Sequence, residues 1–305
     1  MTAKIKSQNL SFILSLPALM VISCMFLRST DLVVRGQLIS KVDVLQMITI
    51  EHLLGSLLFL PNTMAAIRAI RSFKLSDFFF LLLVGIGASV GGIYCFTKAF
   101  YYLNPVVVIL LQKLQPIFTV LFALLLLQER PTRNFLLWGG VALVASYFVS
   151  FGWNFDFSKL GGGPLTGMAF AVAAGALWGG GTVFGKRLLE RASPWTLTHL
   201  RYWTGALFCL SLSSSTPTMI ITPLLENPLS FSYMAIVSGF LPLLLFYQGL
   251  KQLPSILTSI LELFYPFFSI LLGFIVLKRP LTLIQLLACA LLIFAIHKAQ
   301  NKNKV

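Results

Sequence analysis

Apolar residues along this chain form ten long runs, separated by short segments rich in polar residues, glycine or proline. A helix needs about 20 apolar residues to cross the hydrocarbon core of a membrane, and each run is close to that length. Pro105 to Gln128 is almost continuously apolar, whereas a transmembrane β-strand alternates apolar and polar side chains. The pattern therefore predicts an all-α integral membrane protein with ten transmembrane helices, at 9–28, 44–62, 77–100, 105–128, 134–152, 165–185, 195–213, 231–250, 254–277 and 281–297.

Composition excludes a soluble protein. Of the 305 residues, 57% are hydrophobic and 10% are charged, and the mean hydropathy is +0.89. A soluble domain carries about 25% charged residues, so lipid must surround most of this chain. The four cysteines lie singly in different runs, which predicts neither a disulfide nor a metal site. No motif for ATP or another cofactor is present, so we expect no cofactor.

Basic residues are distributed unequally between the two ends of the predicted helices. The net charge is +14, but the lysines and arginines stand in short clusters between apolar runs, which argues against a nucleic-acid partner. Fourteen of them share a side with the termini: Lys4, Lys6, Arg68, Arg71, Lys74, Arg130, Arg133, Lys186, Arg187, Arg191, Lys251, Lys298, Lys302 and Lys304. Five lie on the other side: Arg35, Lys41, Lys159, Lys278 and Arg279. Because positive loops stay inside, both termini are predicted to be cytoplasmic.

The second half of the chain repeats the first at an offset of about 150 residues. The matching positions are Gly55 with Gly205, Phe96 with Phe246, Leu103 with Leu253, Leu111 with Leu261, Pro116 with Pro266, Phe118 with Phe268 and Leu127 with Leu277. We predict a five-helix repeat in residues 1–152, a linker in 153–164, a second repeat in 165–297 and a basic tail in 298–305. Five is an odd number, so the two repeats would be inverted, as in secondary transporters.

Several short motifs are typical of one family. They are Gln115-Pro116 and Gln128-Glu129-Arg130-Pro131 in the first half, and Trp178-Gly179-Gly180, Arg201, Tyr265-Pro266 and Leu277-Lys278-Arg279-Pro280 in the second. On these motifs the chain resembles the EamA family of the drug/metabolite transporter (DMT) superfamily. The resemblance implies a ten-helix, multi-pass transporter of small metabolites in the bacterial inner (plasma) membrane. That class includes amino-acid exporters and, more distantly, nucleotide-sugar carriers.

Polar residues inside the runs are the candidates for substrate binding. A charge at the bilayer centre costs about 2.5 to 3.5 kcal/mol, so each should face a partner or a wet cavity. Thr258, Glu262, Tyr265 and Ser269 are spaced to share one helical face. The positions 150 residues earlier are Val108, Gln112, Gln115 and Thr119. Two such faces predict a central site, and the alternative is hydrogen bonding that only holds the helices together.

The residues predicted to bind substrate are Glu51, Gln112, Gln115, Arg201, Glu262 and Tyr265. Both signs of charge occur among them, which favours a small polar or zwitterionic metabolite such as an amino acid. Glu262 is the first candidate for proton coupling, with Glu51 and His52 after it. The possible partners of Arg201 are Glu51, Glu262 and a substrate carboxylate. Lys113 is expected to contact water or a carboxylate, and Glu262 is the best-placed carboxylate. We expect a monomer that lies in the lipid bilayer and binds a small-molecule substrate.

One enzyme hypothesis stands beside the transporter. Gly87-Ala88-Ser89-Val90-Gly91 matches the serine-hydrolase pattern, and His52 or His199 would have to serve as the base. That pattern normally needs a strand-turn-helix elbow, which an all-α protein cannot provide, and a hydrolase has no need of a mirrored half. The prediction is therefore a transporter that is not an enzyme.

Overall fold

The computed structural model describes residues 13, 15–38, 41–103, 105–153, 165–212, 217–276, 278 and 280–300. Secondary structure within these residues is helical, with no strand. Most of the predicted linker and tail lie outside the described residues. So do six basic residues assigned to the loops and termini, namely Lys4, Lys6, Lys159, Arg279, Lys302 and Lys304, and Leu277 of the family motif.

Among the described residues, the first half contains seven helices. They are α1 (Leu16–Leu38), α2 (Val44–Leu58), the short α3 (Thr63–Arg71), α4 (Leu75–Tyr102), α5 (Pro105–Gln112), α6 (Gln115–Leu126) and α7 (Arg133–Phe151). A 3-10 turn at Leu60–Asn62 joins α2 to α3 at a bend of 60°. The middle of α4, Leu83–Gly91, is a π-helix.

The second half contains the same order of elements. They are α8 (Leu165–Leu188), α9 (Pro194–Leu212), the short α10 (Pro217–Glu226), α11 (Pro228–Gln252), α12 (Ser255–Leu261), α13 (Phe264–Ile275) and α14 (Leu283–Gln300). Again the third long helix carries a π-helix, at Met234–Phe240.

Helix boundaries recur with the offset seen in the sequence. Leu16 and Leu165, which begin α1 and α8, are 149 residues apart, and Val44 and Pro194, which begin α2 and α9, are 150 apart. Even the exceptional backbone angles match. Gln128 and Lys278, after α6 and α13, both have positive φ, at 57° and 54°. The two halves therefore share local geometry as well as apolar pattern.

Among the described residues, seven helical spans are long and apolar enough to cross a membrane, with α5 and α6 counted as one span and α12 and α13 as another. The number is eight if the bent pair of α2 and α3 also counts as one span. The protein is thus a multi-pass membrane protein, while the predicted number was ten. The helices outside this group include α1, which differs from its prediction. It starts at Leu16 and runs to Leu38 instead of ending at residue 28, because Arg28, Asp31 and Arg35 lie inside it and do not end it.

Two glycines bring α2 and α9 into close contact. A methyl group at Gly55 would collide with the ring of Tyr202, and a methyl group at Gly205 would collide with the ring of His52. Tyr202 is 150 residues after His52, and Gly205 is 150 after Gly55, so the two contacts are reciprocal. Small residues allow membrane helices to approach closely, and here they fix the centre of the bundle.

Candidate functional site

Two of the predicted spans are broken in the middle. In the first half α5 ends at Gln112 and α6 begins at Gln115; in the second half α12 ends at Leu261 and α13 begins at Phe264. Each new helix has a proline in its first turn, Pro116 or Pro266, and proline is favoured there because it has no N–H to pair. Each break is a two-residue turn whose backbone N–H groups stay paired, as N of Leu114 donates to the oxygen of Leu111 and N of Leu263 to that of Ile260.

Glu262 lies at the second break and links the two halves of the chain. Its carboxylate accepts a hydrogen bond from Nε2 of Gln115 on α6 and one from Oγ1 of Thr182 on α8, the latter at 3.3 Å. Nε2 of Gln112 on α5 donates in turn to Oε1 of Gln115 at 3.1 Å. Three predicted residues, Gln112, Gln115 and Glu262, therefore form one connected group.

Two arginines supply positive charge near this carboxylate. Arg28 of α1 and Arg201 of α9 both act electrostatically on Glu262, and Arg28 does so more strongly. Arg201 itself is buried, and its Nε and Nη1 donate to Oγ of Ser89 at 2.5 Å and Oη of Tyr247 at 3.0 Å. The arginine thus joins α9 to α4 and α11, and its charge remains available to a nearby anion.

Glu51 belongs to a second polar group. Nη2 of Arg35 lies 2.9 Å from Oε2 of Glu51, and Nε of the same arginine lies 2.5 Å from Oδ2 of Asp31. Oγ of Ser238, in the π-helix of α11, donates to Oδ1 of Asp31 at 2.8 Å. The assignment of Arg35 to a loop was wrong, and the salt-bridge partner of Glu51 is Arg35 and not Arg201.

Tyr265 faces the charged residues of α1. It is half-buried on α13, and its charged surroundings include Asp31, Arg28 and Arg35. His52 is buried, with Nδ1 2.8 Å from the backbone oxygen of Ile48. The structure therefore brings Tyr265 close to the polar group of Arg35, whereas the ring of His52 contacts the backbone of its own helix.

Lys113 occupies the first break. It is 8% exposed, and within the described part of the chain its side chain has no hydrogen bond, ion pair or aromatic partner. The expected pairing with Glu262 is not formed, because the carboxylate takes Gln115 and Thr182 instead.

Five residues near the site were not predicted from the sequence, namely Arg28, Asp31, Arg35, Thr182 and Ser238. The spacing of the first three, at intervals of three and four, places them on one helical face and was a signal that the first helix continues past residue 28. Thr182 and Ser238 carried no such signal, because isolated hydroxyl residues are common in membrane helices.

Ser89 has a different neighbour from the one that a hydrolase needs. Its hydroxyl accepts from Arg201, and among the described residues no histidine hydrogen-bonds to it. Nor do those residues contain a group of three His, Cys, Asp or Glu side chains arranged to hold a metal ion.

The outer surface carries two apolar grooves, of about 320 and 270 Å³, along α2 and its neighbours. None of the predicted site residues lines either groove. The polar groups are therefore packed between helices, separate from these surface grooves.

A bundle of membrane helices that gathers charged and amide side chains at helix breaks has the features of a small-solute transporter. The model of the EamA-like transporter family matches residues 15–151 and 165–297, and the chain belongs to this family. It is thus a membrane transporter of small solutes.

The proteins that are similar to this chain include a curated transporter and a solved structure. The riboflavin transporter ImpX of Fusobacterium nucleatum subsp. nucleatum is 29% identical over 242 residues, which cover 78% of this chain and 81% of that protein. A solved structure described only as "Crystal structure of protein" has a TM-score of 0.74 and 19% identity, and the match covers 93% of this chain and 96% of the other. The second likeness shows a common fold.

Proposed function

We propose that this protein is a secondary transporter built from two inverted five-helix repeats, with alternating access to a site between them. The repeated order of helices and the reciprocal contacts of Gly55 and Gly205 support this arrangement. Two mirrored bundles can rock about a common centre and expose it to either side in turn. The proposed transporter is a monomer in the bacterial plasma membrane, and both of its termini lie in the cytoplasm.

The observation that carries it is the position of Glu262. A carboxylate in the interior of a membrane protein is costly unless it is paired or functional. Here it takes one hydrogen bond from the first half, through Gln115, and one from the second, through Thr182. A solute that replaced the Gln115 amide at Glu262 would separate the halves at this point. Substrate binding and helix movement would thereby be coupled.

The substrate we propose first is a small polar heterocyclic metabolite of the riboflavin type. The named activity of the 29% identical relative supports it. The groups around Glu262 fit this chemistry, because Gln112, Gln115 and Thr182 present amide and hydroxyl groups to the carbonyl and N–H edges of such a ring. An amino acid is the second candidate, favoured by Glu262 and the nearby charge of Arg28.

Alternating access follows from the broken helices. At each break a two-residue turn interrupts the regular α-helix, and such a point can act as a hinge between the two half-helices. A proton that binds Glu262 would compete with the Gln115 amide and the substrate for the same oxygens. Proton-coupled transport is therefore part of the proposal.

Counterflow in proteoliposomes tests the function. Vesicles loaded with unlabelled riboflavin should accumulate labelled riboflavin from outside, and vesicles loaded with a neutral amino acid should do the same for that amino acid if the second candidate holds. Protein-free liposomes are the control. Accumulation of neither label above that control would contradict both substrate proposals.

A further inference from the structure

We propose that Lys113 binds an anionic oxygen group, a carboxylate or phosphate, of the transported solute. The inference rests on the proposed transport function and adds a binding residue to it. Among the proposed substrates it selects those that carry such a group, namely the phosphorylated form of a riboflavin-type molecule or an amino acid. Its basis is the contrast between Lys113 and the other buried charged residues of the described structure.

Each of the other buried charges has a partner. Glu51 pairs with Arg35 at 2.9 Å, and Asp77 pairs with Arg191 at 3.0 Å. Arg201 donates to Ser89 and Tyr247. Lys113 is as well buried as Arg201, at 8% exposure each, but has no hydrogen bond or ion pair within the described residues.

Lys113 stands at the first break as Glu262 stands at the second. Lys113 directly follows the end of α5, and Glu262 directly follows the end of α12. The backbone is alike at both places, because N of Lys113 donates to the oxygen of Ile109 at 3.2 Å and N of Glu262 donates to the oxygen of Thr258 at 3.1 Å. In the 150-residue repeat Glu262 matches Gln112, so the cation is the neighbour of the residue that corresponds to the anion.

Both positions are deep in the bundle. α5 has 8 residues before the break, which at 1.5 Å per residue is about 12 Å of helix. Half of the hydrocarbon core is about 15 Å thick. An ammonium at this depth cannot extend easily to the membrane surface, so its charge has to be compensated within the protein.

Nζ of Lys113 keeps some accessible surface, because it is not among the fully buried polar atoms that lack a hydrogen bond. An ammonium without a partner inside a membrane protein lowers stability, and proteins retain such groups where a ligand supplies the partner. A solute with an anionic oxygen supplies the missing acceptor. With Glu262 as the acceptor for the donor groups of the same solute, the two breaks would bind opposite ends of one molecule.

The test uses purified full-length protein and two pairs of probes that differ by a single anionic group. The pairs are riboflavin with riboflavin 5′-phosphate, and alaninamide with alanine. Affinities are measured by titration for the parent, Lys113→Met and Lys113→Arg. We expect at least a tenfold preference for the anionic member of one pair in the parent, retained in Lys113→Arg and reduced below twofold in Lys113→Met. The pair that shows it distinguishes phosphate from carboxylate.

The melting temperature without ligand provides an independent measurement. Methionine has nearly the length of lysine without its charge, so Lys113→Met should melt at a higher temperature than the parent. Lys98→Met is the matched control, because Lys98 already has the rings of Tyr94 and Tyr101 at 5.5 and 5.0 Å. A lower melting temperature for Lys113→Met, no anion preference in the parent, or a preference that Lys113→Met retains would each overturn the proposal. Failure of counterflow with normal anion binding would instead count against the transport function.

Discussion

Arg35 and Glu51 form a salt bridge, 2.9 Å between Nη2 and Oε2, that ties α1 to α2 inside the bundle. The guanidinium also contacts Asp31, whose other oxygen accepts from Ser238 of α11. In the second half, the positions 150 residues after Asp31 and Arg35 are Gly181 and Gly185. There the contacts are steric. Gly181 packs against Ala88, and Gly185 packs against Tyr247. At these matching positions the first half is therefore held by charge and the second half by close packing.

Removing Arg35 should destabilise the protein. Arg35→Met leaves two carboxylates without their cation, and breaking a buried pair in this way costs about 3 to 5 kcal/mol, less here because Arg35 is 22% exposed. We expect a clear fall in melting temperature. Arg187→Met is the control, because its pair with Glu190 is 48% and 53% exposed and such pairs contribute about 0 to 1 kcal/mol. Equal melting temperatures for the two variants would contradict the structural role of Arg35.

Glu129 should stabilise the start of α12. Its Oε1 and Oε2 accept from N of Ser255 and N of Ile256 at 2.9 and 3.0 Å. Glu129→Gln keeps the shape but removes the charge and one acceptor, and loss of a helix N-cap costs about 0.5 to 2 kcal/mol. We expect a lower melting temperature and faster hydrogen exchange in α12, measured by mass spectrometry. Unchanged exchange in this helix would argue against the cap.

The reciprocal contact of α2 and α9 predicts a contrast between two glycines. Gly55→Ala places a methyl group into the ring of Tyr202 and should destabilise the fold, whereas a methyl group at Gly140 meets nothing within 4 Å. Alanine favours helix over glycine by about 1 kcal/mol, so Gly140→Ala should be neutral or stabilising. Thermal melts of both variants test this. A stable Gly55→Ala protein would mean that α2 and α9 lie further apart.

Much of the fold was predictable, because the lengths of the apolar segments and the 150-residue repeat are visible in the amino-acid sequence. The end of α1 was not, because Arg28, Asp31 and Arg35 have the appearance of a polar boundary in a hydropathy profile. Only the three-dimensional structure shows that Arg35 is neutralised by Asp31 and Glu51.

The candidate site was predictable in part for a similar reason. Gln112, Gln115 and Glu262 were found because polar residues in apolar runs at helical spacing are conspicuous, and the structure joins them. The partners of Arg201 and Lys113 were not predictable, because each depends on which helices are neighbours. That information is absent from spacing along a single helix.

Orientation in the membrane is testable by cysteine labelling. The distribution of basic residues predicts that Arg71, which is exposed, lies in the cytoplasm, and that Trp153, which is 74% exposed after α7, lies on the opposite side. In a cysteine-free background, Arg71→Cys should react with an impermeant maleimide only after the cells are opened, and Trp153→Cys should react in intact cells. Lys186 is a poor labelling site, because its Nζ donates to the backbone oxygens of Leu250, Lys251 and Leu253. Labelling of both test positions from one side would contradict the inverted repeat.

The last prediction concerns proton coupling at Glu262. Glutamine at this position keeps the size and the hydrogen bond to Thr182 but cannot bind or release a proton, so exchange of substrate should persist while accumulation driven by a proton gradient is lost. Counterflow and gradient-driven uptake are measured on the same proteoliposomes with Glu262→Gln. Glu190→Gln is the control, because that carboxylate is 53% exposed at the surface and should leave both activities unchanged. If Glu262→Gln accumulates substrate with the pH dependence of the parent, then Glu262 does not couple transport to protons, and Glu51 becomes the carboxylate to test.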